Sequence, residues 1–243
     1  MRVLIISDIH ANYTALEAVL KDAGPADETW CLGDLVGYGP DPNAVVEEVR
    51  DIPNLTCILG NHDMAAIGKM PLEAFNGEAR RSLAYHQKVL SASNMDFMHS
   101  LSANIKVRGE ATLAHGSPRD SLWEYIINGL TARLNFDHFD TPWCFVGHTH
   151  IQSIFAYNET NDRVTLDQTK PDQTINLHPK LILNPGSVGQ PRDRDSRAAY
   201  AVYDTEARTW LPRRVTYNIV EVQDRIRAAG LPEKHALRIA EGW

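Results

Sequence analysis

The first sixty residues repeat one pattern three times, and this repeat limits the folds that the chain can adopt. A short apolar, β-rich run is followed directly by a short polar residue: residues 2–7 by Asp8, 28–33 by Asp34, and 55–60 by Asn61. Between the runs, apolar residues recur at helical spacing, as in Leu16, Val19 and Leu20. Alternating strands and helices are typical of a parallel sheet covered by helices, and the nearly continuous hydrophobicity of the runs suits strands buried on both faces.

The remainder of the chain departs from this rhythm. Residues 65–102 are predicted to be mostly helical and to form an excursion over one edge of the core. The polar stretch 157–174 is predicted to consist of hairpin turns, and the chain after about residue 218 is predicted to be helical. The other apolar runs are predicted strands within 103–115, 143–157, 181–184, 198–204 and 209–218, the last three antiparallel. We therefore predict one α/β (α+β) domain over residues 1–243.

Composition excludes several classes of protein. The net charge of −7 disfavours stable binding to nucleic acids, because an acidic protein repels phosphate at long range. No apolar stretch reaches transmembrane length, and the apolar start VLII is too short for a signal sequence. The cysteines Cys31, Cys57 and Cys144 each lie in an apolar run without a C-x-x-C pair, as in buried positions of a reducing compartment. We expect a soluble, cytoplasmic protein.

The polar residues at the strand ends predict a metal site. In open α/β sheets, ligands bind outside the carboxyl ends of the strands. Each residue alone has a simpler explanation: Asp8 as a helix cap, Asp34 as a turn residue, His115 as a buried core imidazole. Turn chemistry does not explain why five strand ends carry only Asp, Asn or His. The full set is Asp8, His10, Asp34, Asn61, His62, His115, His148 and His150.

Carboxylates and imidazoles without thiolates suit borderline divalent metals, with Mn²⁺ as first choice and Fe, Zn²⁺ or Ni²⁺ as alternatives. Two cations about 3.5–4 Å apart need a bridging oxygen ligand, which a strand-end Asp can supply. Such a pair would lower the pKa of a bridging water and bind phosphate oxygens while the resulting hydroxide attacks in line. A neighbouring imidazole could protonate the leaving oxygen.

Several motifs of the sequence resemble those of a known family. The motifs Asp8-Ile-His10, Gly33-Asp34, Gly60-Asn61-His62-Asp63, His115 and Gly147-His148-Thr149-His150 are similar in order and spacing to those of the calcineurin-like metallophosphoesterases. The resemblance extends through Asn184-Pro185-Gly186-Ser187 to Pro191-Arg192, as in small bacterial members. It implies an αββα sandwich, in which two packed mixed β-sheets are flanked by helices.

The resemblance also implies a role for each matching residue. One metal would take Asp8, His10 and His150, the other would take Asn61, His115 and His148, and Asp34 would bridge the two. His62 would be the catalytic imidazole beside the leaving group, and Asp63 would orient it. The chain has Ala11 where glycine is usual and keeps Asn12, so the departure affects only the backbone near the phosphate.

Other residues have two interpretations each. Tyr38 could stack on a substrate ring, or it could belong to a Pro/Gly turn that opens the second helix. Arg119 and Arg192 could bind phosphate oxygens or could be surface residues of turns; the resemblance favours the site for Arg192. Trp123 and Tyr125 are expected to pack in the core or at the edge of the cleft. The remaining histidines are expected at the surface or in packing, and they are His86, His99, His138, His178 and His235.

The sequence thus predicts a phosphoesterase with two divalent metals, acting on monoesters or diesters of a small phosphorylated substrate. Nucleotides or dinucleoside polyphosphates are the favoured substrates, with Asn12, Tyr38, Arg119 and Arg192 as substrate-binding residues. Activity like that of Ser/Thr protein phosphatases is one alternative, and a non-catalytic binding module that keeps the fold is another. The presence of His62 and every expected ligand favours an enzyme. Specificity would lie in the loops 37–43, 64–80 and 117–127, and the oligomeric state does not follow from the sequence.

Overall fold

Two six-stranded sheets form the centre of the structure, a computed structural model that describes residues 1–243, residue 168 by its backbone alone. The first sheet has the order β3 (Leu55–Cys57), β2 (Glu28–Cys31), β1 (Arg2–Ile6), β11 (Ala198–Asp204), β12 (Thr209–Val215), β9 (Ile175–Asn176). The second has the order β4 (Lys106–Arg108), β5 (Ala111–Leu113), β6 (Trp143–Phe145), β10 (Leu181–Asn184), β7 (Ser153–Asn158), β8 (Arg163–Gln168). β1, β2 and β3 are parallel, as are β5, β6 and β10, and the other neighbouring pairs are antiparallel.

Helices cover the outer faces of both sheets. They are α1 (Tyr13–Ala23), α2 (Pro42–Asp51), α3 (Asn61–Ala66), α4 (Gly77–Val89), α5 (Ala92–Ser100), α6 (Gly129–Asn135), α7 (Ile219–Ala228) and α8 (Glu233–Glu241). The apolar faces of α1 and α2 pack on the first sheet, whereas α6 packs on β7 and β8 of the second. Among the helices described, none combines the length and hydrophobicity that a membrane crossing requires. The prediction of two packed mixed sheets flanked by helices is confirmed.

The alternation of side chains in β1 explains why the sheets stack. Leu4 and Ile6 point to the helices, whereas Val3 and Ile5 point to the second sheet, where they meet Phe145. Because both faces of the strand are covered, its sequence is apolar throughout. The parallel strands of the two sheets therefore run side by side, and their carboxyl ends meet at one edge of the sandwich.

Most predicted elements occur at the expected places, with a few exceptions. The predicted helical excursion 65–102 contains α4, α5 and a 3₁₀ turn at Leu72–Ala74. The stretch 157–174, expected to form only turns, also contains β8, and α6 was not predicted. β8 is an edge strand that pairs only with β7, and most of its described side chains are exposed, so it lacks the apolar run of a buried strand. That one domain spans residues 1–243 stays a prediction.

The layer between the sheets should dominate the stability of the fold. Leu183 on β10 is 0% exposed between the sheets, whereas Leu130 on α6 is 74% exposed. We expect Leu183→Ala to lower the free energy of unfolding by about 2–5 kcal/mol, because it leaves a cavity in a packed core. Leu130→Ala should change it by less than about 0.5 kcal/mol. Urea denaturation of both variants measures the difference, and similar losses would contradict this account of the core.

Candidate metal centre

The seven predicted ligands converge where the parallel strands of both sheets end. Asp8, Asp34 and Asn61 follow β1, β2 and β3, while His115 and His148 follow β5 and β6. All seven side chains are buried. Ligand-type atoms of Asp8, His10, Asp34 and His150 lie within 4.8 Å of one another, and those of Asp34, His115 and His148 form a second group within the same distance limit. The two groups share Asp34.

The Asp34 carboxylate is the common contact of the two groups. Its Oδ1 accepts a hydrogen bond from the backbone N–H of His62 at 2.9 Å. Its Oδ2 lies 3.5 Å from Nε2 of His10 and 3.4 Å from Nε2 of His115. Burial by itself favours the neutral acid, but the neighbouring His115 and His62 hold the pKa of Asp34 well below its usual value. The Asp34 side chain therefore carries a negative charge.

Three of the imidazoles are oriented by backbone carbonyl groups. A carbonyl oxygen only accepts hydrogen bonds, so the Nδ1 atom that contacts it must carry the proton. In a neutral ring, the lone pair is then on Nε2, which faces the centre of the cluster. The three donor–acceptor pairs are His10 to Val36 (2.9 Å), His115 to Leu32 (2.8 Å) and His150 to Gln190 (2.6 Å).

The first group has an arrangement that fits a divalent cation. Nε2 of His10 lies 3.1 Å from Nε2 of His150. Burial lowers the pKa of His10 to about 3 and that of His150 well below its usual value, so both rings are neutral. Two lone pairs then face each other beside the carboxyl groups of Asp8 and Asp34. A cation between these atoms would satisfy all of them, and the donor set of imidazole and carboxylate suits Mn²⁺, Fe or Zn²⁺.

The second group adds an amide oxygen. Nε2 of His115 lies 3.2 Å from Oδ1 of Asn61 and 3.2 Å from Nδ1 of His148. Burial opposes a positive charge on His115, but the Asp34 carboxylate outweighs it and raises the pKa of His115 to about 9. A cation bound by these side chains would take the place of that proton, because metal ligation requires the neutral ring.

The backbone at the site is in an unusual conformation. Asp8, His10, Asp34, His148 and His150 all have positive φ angles, between 50° and 65°. This left-handed region is uncommon for residues other than glycine, although Asn, Asp and His enter it more readily than most. Such strained residues cluster at functional sites. Ala11 also has a positive φ, 51°, which explains why glycine is usual at this position in the family that the sequence resembles.

The stretch 184–187 braces the loops that carry the ligands. The Asn184 amide donates to the carbonyl of Gly147 at 2.7 Å and to Oγ1 of Thr149 at 3.0 Å. The Ser187 hydroxyl donates to the carbonyl of Asp8 at 2.7 Å and accepts from the N–H of Gln190 at 2.8 Å. The sequence motif indicated this stretch but not its function, which is to fix one ligand loop against another.

His62 lies beside the cluster with one ring nitrogen free. Its ring centroid is 4.9 Å from that of His10, 4.5 Å from that of Tyr38 and 5.0 Å from that of Phe75. Among the residues described, its Nδ1 has no hydrogen-bond partner. Burial lowers the pKa of His62 well below its usual value, and the ring is neutral in this state. A neutral imidazole with a free nitrogen is suited to exchange a proton.

Asp63 acts differently from the prediction that it orients His62. Its Oδ1 accepts from the N–H of Val36 at 3.1 Å, and its Oδ2 accepts from the N–H of Gly60 at 3.0 Å. Asp63 therefore ties the loop after β2 to the start of α3. The sequence did not indicate this role, because the partner backbone at Val36 belongs to a different motif.

Two of the predicted substrate-binding residues lie together at the site. Nη2 of Arg192 is 3.4 Å from Oη of Tyr38 and 3.1 Å from Oε1 of Gln190. Tyr38 is buried, with its ring against His10 and His62, so it forms a wall of the site rather than an open stacking surface. Burial is the main cause of the low pKa of His62 and of His150, and the positive charge of Arg192 lowers both further.

The other two predicted substrate-binding residues are engaged elsewhere. Oδ1 of Asn12 caps α1 by accepting from the N–H of Ala15, and its Nδ2 donates to the carbonyl of Gly189. Arg119 lies 3.6 Å from the carboxylate of Glu124 in a part-exposed turn, as in the surface interpretation of this residue. The structure therefore does not bring either side chain into the cluster.

Aromatic residues of the loop 117–127 edge the site. The Tyr125 ring stacks on His148, with centroids 4.0 Å apart and an interplanar angle of 21°. Trp123 lies against Phe75 at 5.2 Å. Both are partly exposed, at 44% for Tyr125 and 38% for Trp123, as expected for residues at the edge of a cleft.

The remaining histidines lie at the surface or pack in the interior, as expected. His99, His138 and His178 are exposed. His86 is buried, where it accepts from the N–H of Gly37 and donates to the carbonyl of Gly39. His235 on α8 is buried against Tyr38, with ring centroids 5.0 Å apart. The last helix thus reaches the wall of the site, which the sequence did not indicate.

The chain is similar to several known proteins. A metallophosphoesterase of Sphaerobacter thermophilus, known from its crystal structure, is 45% identical and superposes with a TM-score of 0.91, over 100% of this chain and 99% of its own. An uncharacterised protein of Methanocaldococcus jannaschii is 35% identical over 243 residues, 95% of this chain and 94% of its own. A shorter match, over 68 residues, is 41% identical to a symmetrical bis(5'-nucleosyl)-tetraphosphatase of Edwardsiella ictaluri and covers 26% of this chain and 24% of that protein.

Residues 1–208 match the calcineurin-like phosphoesterase superfamily domain, a span that includes every predicted ligand. Because this match covers most of the chain, and because the buried Asp, Asn and His side chains converge at the strand ends, the chain belongs to the calcineurin-like phosphoesterase superfamily, a class of phosphoric ester hydrolases.

Proposed function

We propose that this chain hydrolyses phosphomonoesters or phosphodiesters with two divalent metal ions, of which manganese is the first choice. The observation that carries the proposal is the pair of buried ligand groups that share Asp34. Asp8, His10 and His150 would hold one ion, Asn61, His115 and His148 would hold the other, and Asp34 would contact both. Two bound cations supply Lewis acidity, which lowers the pKa of water and neutralises the charge of a phosphate group.

His62 is the proposed catalytic imidazole. It lies beside the first ligand group, with its ring centroid 4.9 Å from that of His10. The negative charge of a bound phosphate would favour the protonated ring and oppose the effect of burial. The ring could then hold or donate a proton at the leaving oxygen.

Arg192 is the proposed phosphate-binding residue. Tyr38 and Gln190 fix its guanidinium group through Nη2, while its buried Nε is without a partner among the described side chains. A guanidinium group with a free donor favours an anionic ligand, because phosphate oxygens accept hydrogen bonds from it. Tyr38 positions this group and does not itself need to contact the substrate.

We further propose nucleotides, including dinucleoside polyphosphates, as the substrate class. The support is the 68-residue similarity to a symmetrical bis(5'-nucleosyl)-tetraphosphatase. The cytoplasm is the proposed location, because the three cysteines are buried and unpaired, as is usual in a reducing compartment. A panel of a monoester, a diester and a dinucleoside polyphosphate, each with Mn²⁺, Fe²⁺, Zn²⁺ or Mg²⁺, tests the activity; the absence of turnover throughout the panel would overturn it.

Metal binding should require Asp34. After chelator treatment, we expect the protein to take up two Mn²⁺ ions per chain and its melting temperature to rise, because a ligand that binds only the folded state stabilises it. Asp34→Ala should lose at least one ion, together with most of the thermal shift. The matched control is Asp96→Ala, at an exposed carboxylate on α5, and it should behave as the wild type. Elemental analysis gives the metal content, and two ions bound to Asp34→Ala would refute the shared ligand.

Removal of the proposed catalytic imidazole should affect turnover but not metal content. We expect His62→Ala to lower kcat by roughly 10²-fold, the usual scale for loss of general acid–base catalysis. His99→Ala, which removes an exposed imidazole from α5, serves as the control and should leave kcat unchanged. Steady-state kinetics on the best substrate of the panel measures both variants. Wild-type turnover in His62→Ala with full metal content would show that another group has this role.

A further inference from the structure

We propose that the exposed edge of β8 pairs with the same strand of a second copy, so that the chain forms a dimer with twofold symmetry. β8 is the last strand of the second sheet and pairs only with β7. The backbone donors and acceptors along such an edge are free to bind another strand. The strand contains none of the predicted metal ligands, so this inference does not depend on the proposed function.

The hydrogen bonds of β7 show which backbone groups of β8 face outwards. The N–H of Tyr157 donates to the carbonyl of Lys180, on the side of β10. In an antiparallel ladder the N–H and C=O of one residue point to the same neighbouring strand, and successive residues alternate between the two sides. Tyr157 lies opposite Val164 in the register of β7 and β8. The N–H and C=O of Val164, and those of Leu166 two residues later, therefore point away from β7 to the open edge.

This alternation limits the registers in which a second copy can pair. Outward-facing residues must lie opposite one another, and each such pair then exchanges two hydrogen bonds. With Thr165 on the twofold axis, Val164 of each copy lies opposite Leu166 of the other, and Arg163 lies opposite Asp167. Registers centred on Val164 or on Leu166 also align outward-facing groups, but they place Thr165 opposite one of the charges. The register centred on Thr165 is therefore the one that matches opposite charges.

The two charges of β8 are available to a second copy. The carboxylate of the adjacent Asp162 is held by Arg133 within the chain. Arg163 and Asp167, in contrast, are exposed and form no ion pair with another described residue. Opposite charges that face each other across two strands stabilise a sheet, whereas like charges destabilise it. The twofold axis doubles the effect, because each pair occurs twice.

The other edge of the same sheet has the opposite property. β4 carries Lys106 and Arg108 on either side of Val107, and all three residues are exposed. Antiparallel pairing of this strand with its own copy would place basic residues opposite one another, which is unfavourable. Charge therefore favours self-pairing at β8 and opposes it at β4.

Apolar side chains beside β8 would also be covered. Val164 packs towards α6, and Leu166, which lies on the same face of the strand, is 48% exposed beside Ile127, which is 58% exposed. Pairing would bring Leu166 against Val164 of the second copy and bury apolar surface. A Cβ atom at Gly129 would lie 3.3 Å from the carbonyl oxygen of Val164, so glycine at this position keeps a side chain away from an outward-facing acceptor.

The mass of the chain in solution tests the dimer. Light scattering after size-exclusion chromatography should give twice the mass of one chain within a range of about 1–100 μM. Arg163→Asp and Asp167→Arg each create two pairs of like charges across the axis, and each should raise the dimer Kd at least about tenfold. The double variant exchanges the two charges and should return the Kd to within about threefold of the wild type.

The matched controls are Arg81→Asp and Asp96→Arg, which make the same charge changes at exposed positions of α4 and α5 and should keep the dimer. A monomeric wild type would overturn the pairing. Single variants that dimerise as well as the wild type, or a double variant that is as weak as either single one, would also overturn it.

A cross-link tests the register. Thr165→Cys places two thiols opposite each other on the axis, where the Cα atoms of a non-hydrogen-bonded pair are about 4.5 Å apart, so copper phenanthroline should join the copies by a disulfide. Leu166→Cys is the control and should stay uncross-linked, because each thiol then lies opposite Val164 of the other copy. The native cysteines are buried. Cross-linking through Leu166→Cys and not through Thr165→Cys would refute the register.

Hydrogen exchange tests the outward-facing amides directly. In the wild type the amides of Val164 and Leu166 should be protected by the second copy, whereas in Arg163→Asp they should exchange rapidly. The amide of Thr165, which faces β7, serves as the internal reference and should be protected in both proteins. Rapid exchange of Val164 and Leu166 in a dimeric wild type would show that the copies associate through another surface.

Discussion

The carboxylate of Asp34 is both buried and ionised, and several contacts in the site stabilise this buried charge. An isolated charge in a protein interior is strongly unfavourable, so the carboxylate must have donors or cations around it. The His62 N–H provides a donor from α3, and the His115 ring, which follows β5 of the second sheet, contacts Asp34 after β2 of the first. The two sheets are thus linked at their carboxyl ends by the charge that a metal pair would share.

Rigidity of the scaffold is the second requirement. Five of the predicted ligand residues have left-handed backbone conformations, which cost energy and persist only where the surroundings determine them. The apolar layer between the sheets fixes the strands, and the side chains of Asn184 and Ser187 fix the loops that follow them. Ligand atoms held in this way need little rearrangement when a cation binds, which favours affinity and selectivity for geometry.

The sequence predicted the parts of this molecule that depend on neighbours along the chain. Apolar runs that stop at Asp8, Asp34 or Asn61 identify strands and candidate ligands together, because each candidate is only a few residues from its strand. The roles of Asp63 and His235 were not predictable, since the partners of both belong to segments distant in sequence. The edge strand β8 was not predicted for another reason. Most of its described side chains are exposed, so its sequence lacks the apolar run of a buried strand.

The contact between His235 and Tyr38 shows that the wall of the site extends beyond the span of the family match. The family match stops at residue 208, yet β12 and the helices α7 and α8 follow it. A chain shortened to the matched span would leave β11 without its partner strand on one side and would uncover the wall formed by Tyr38. The family match therefore ends before the wall of the site is complete, because His235 contacts Tyr38 from a helix beyond residue 208.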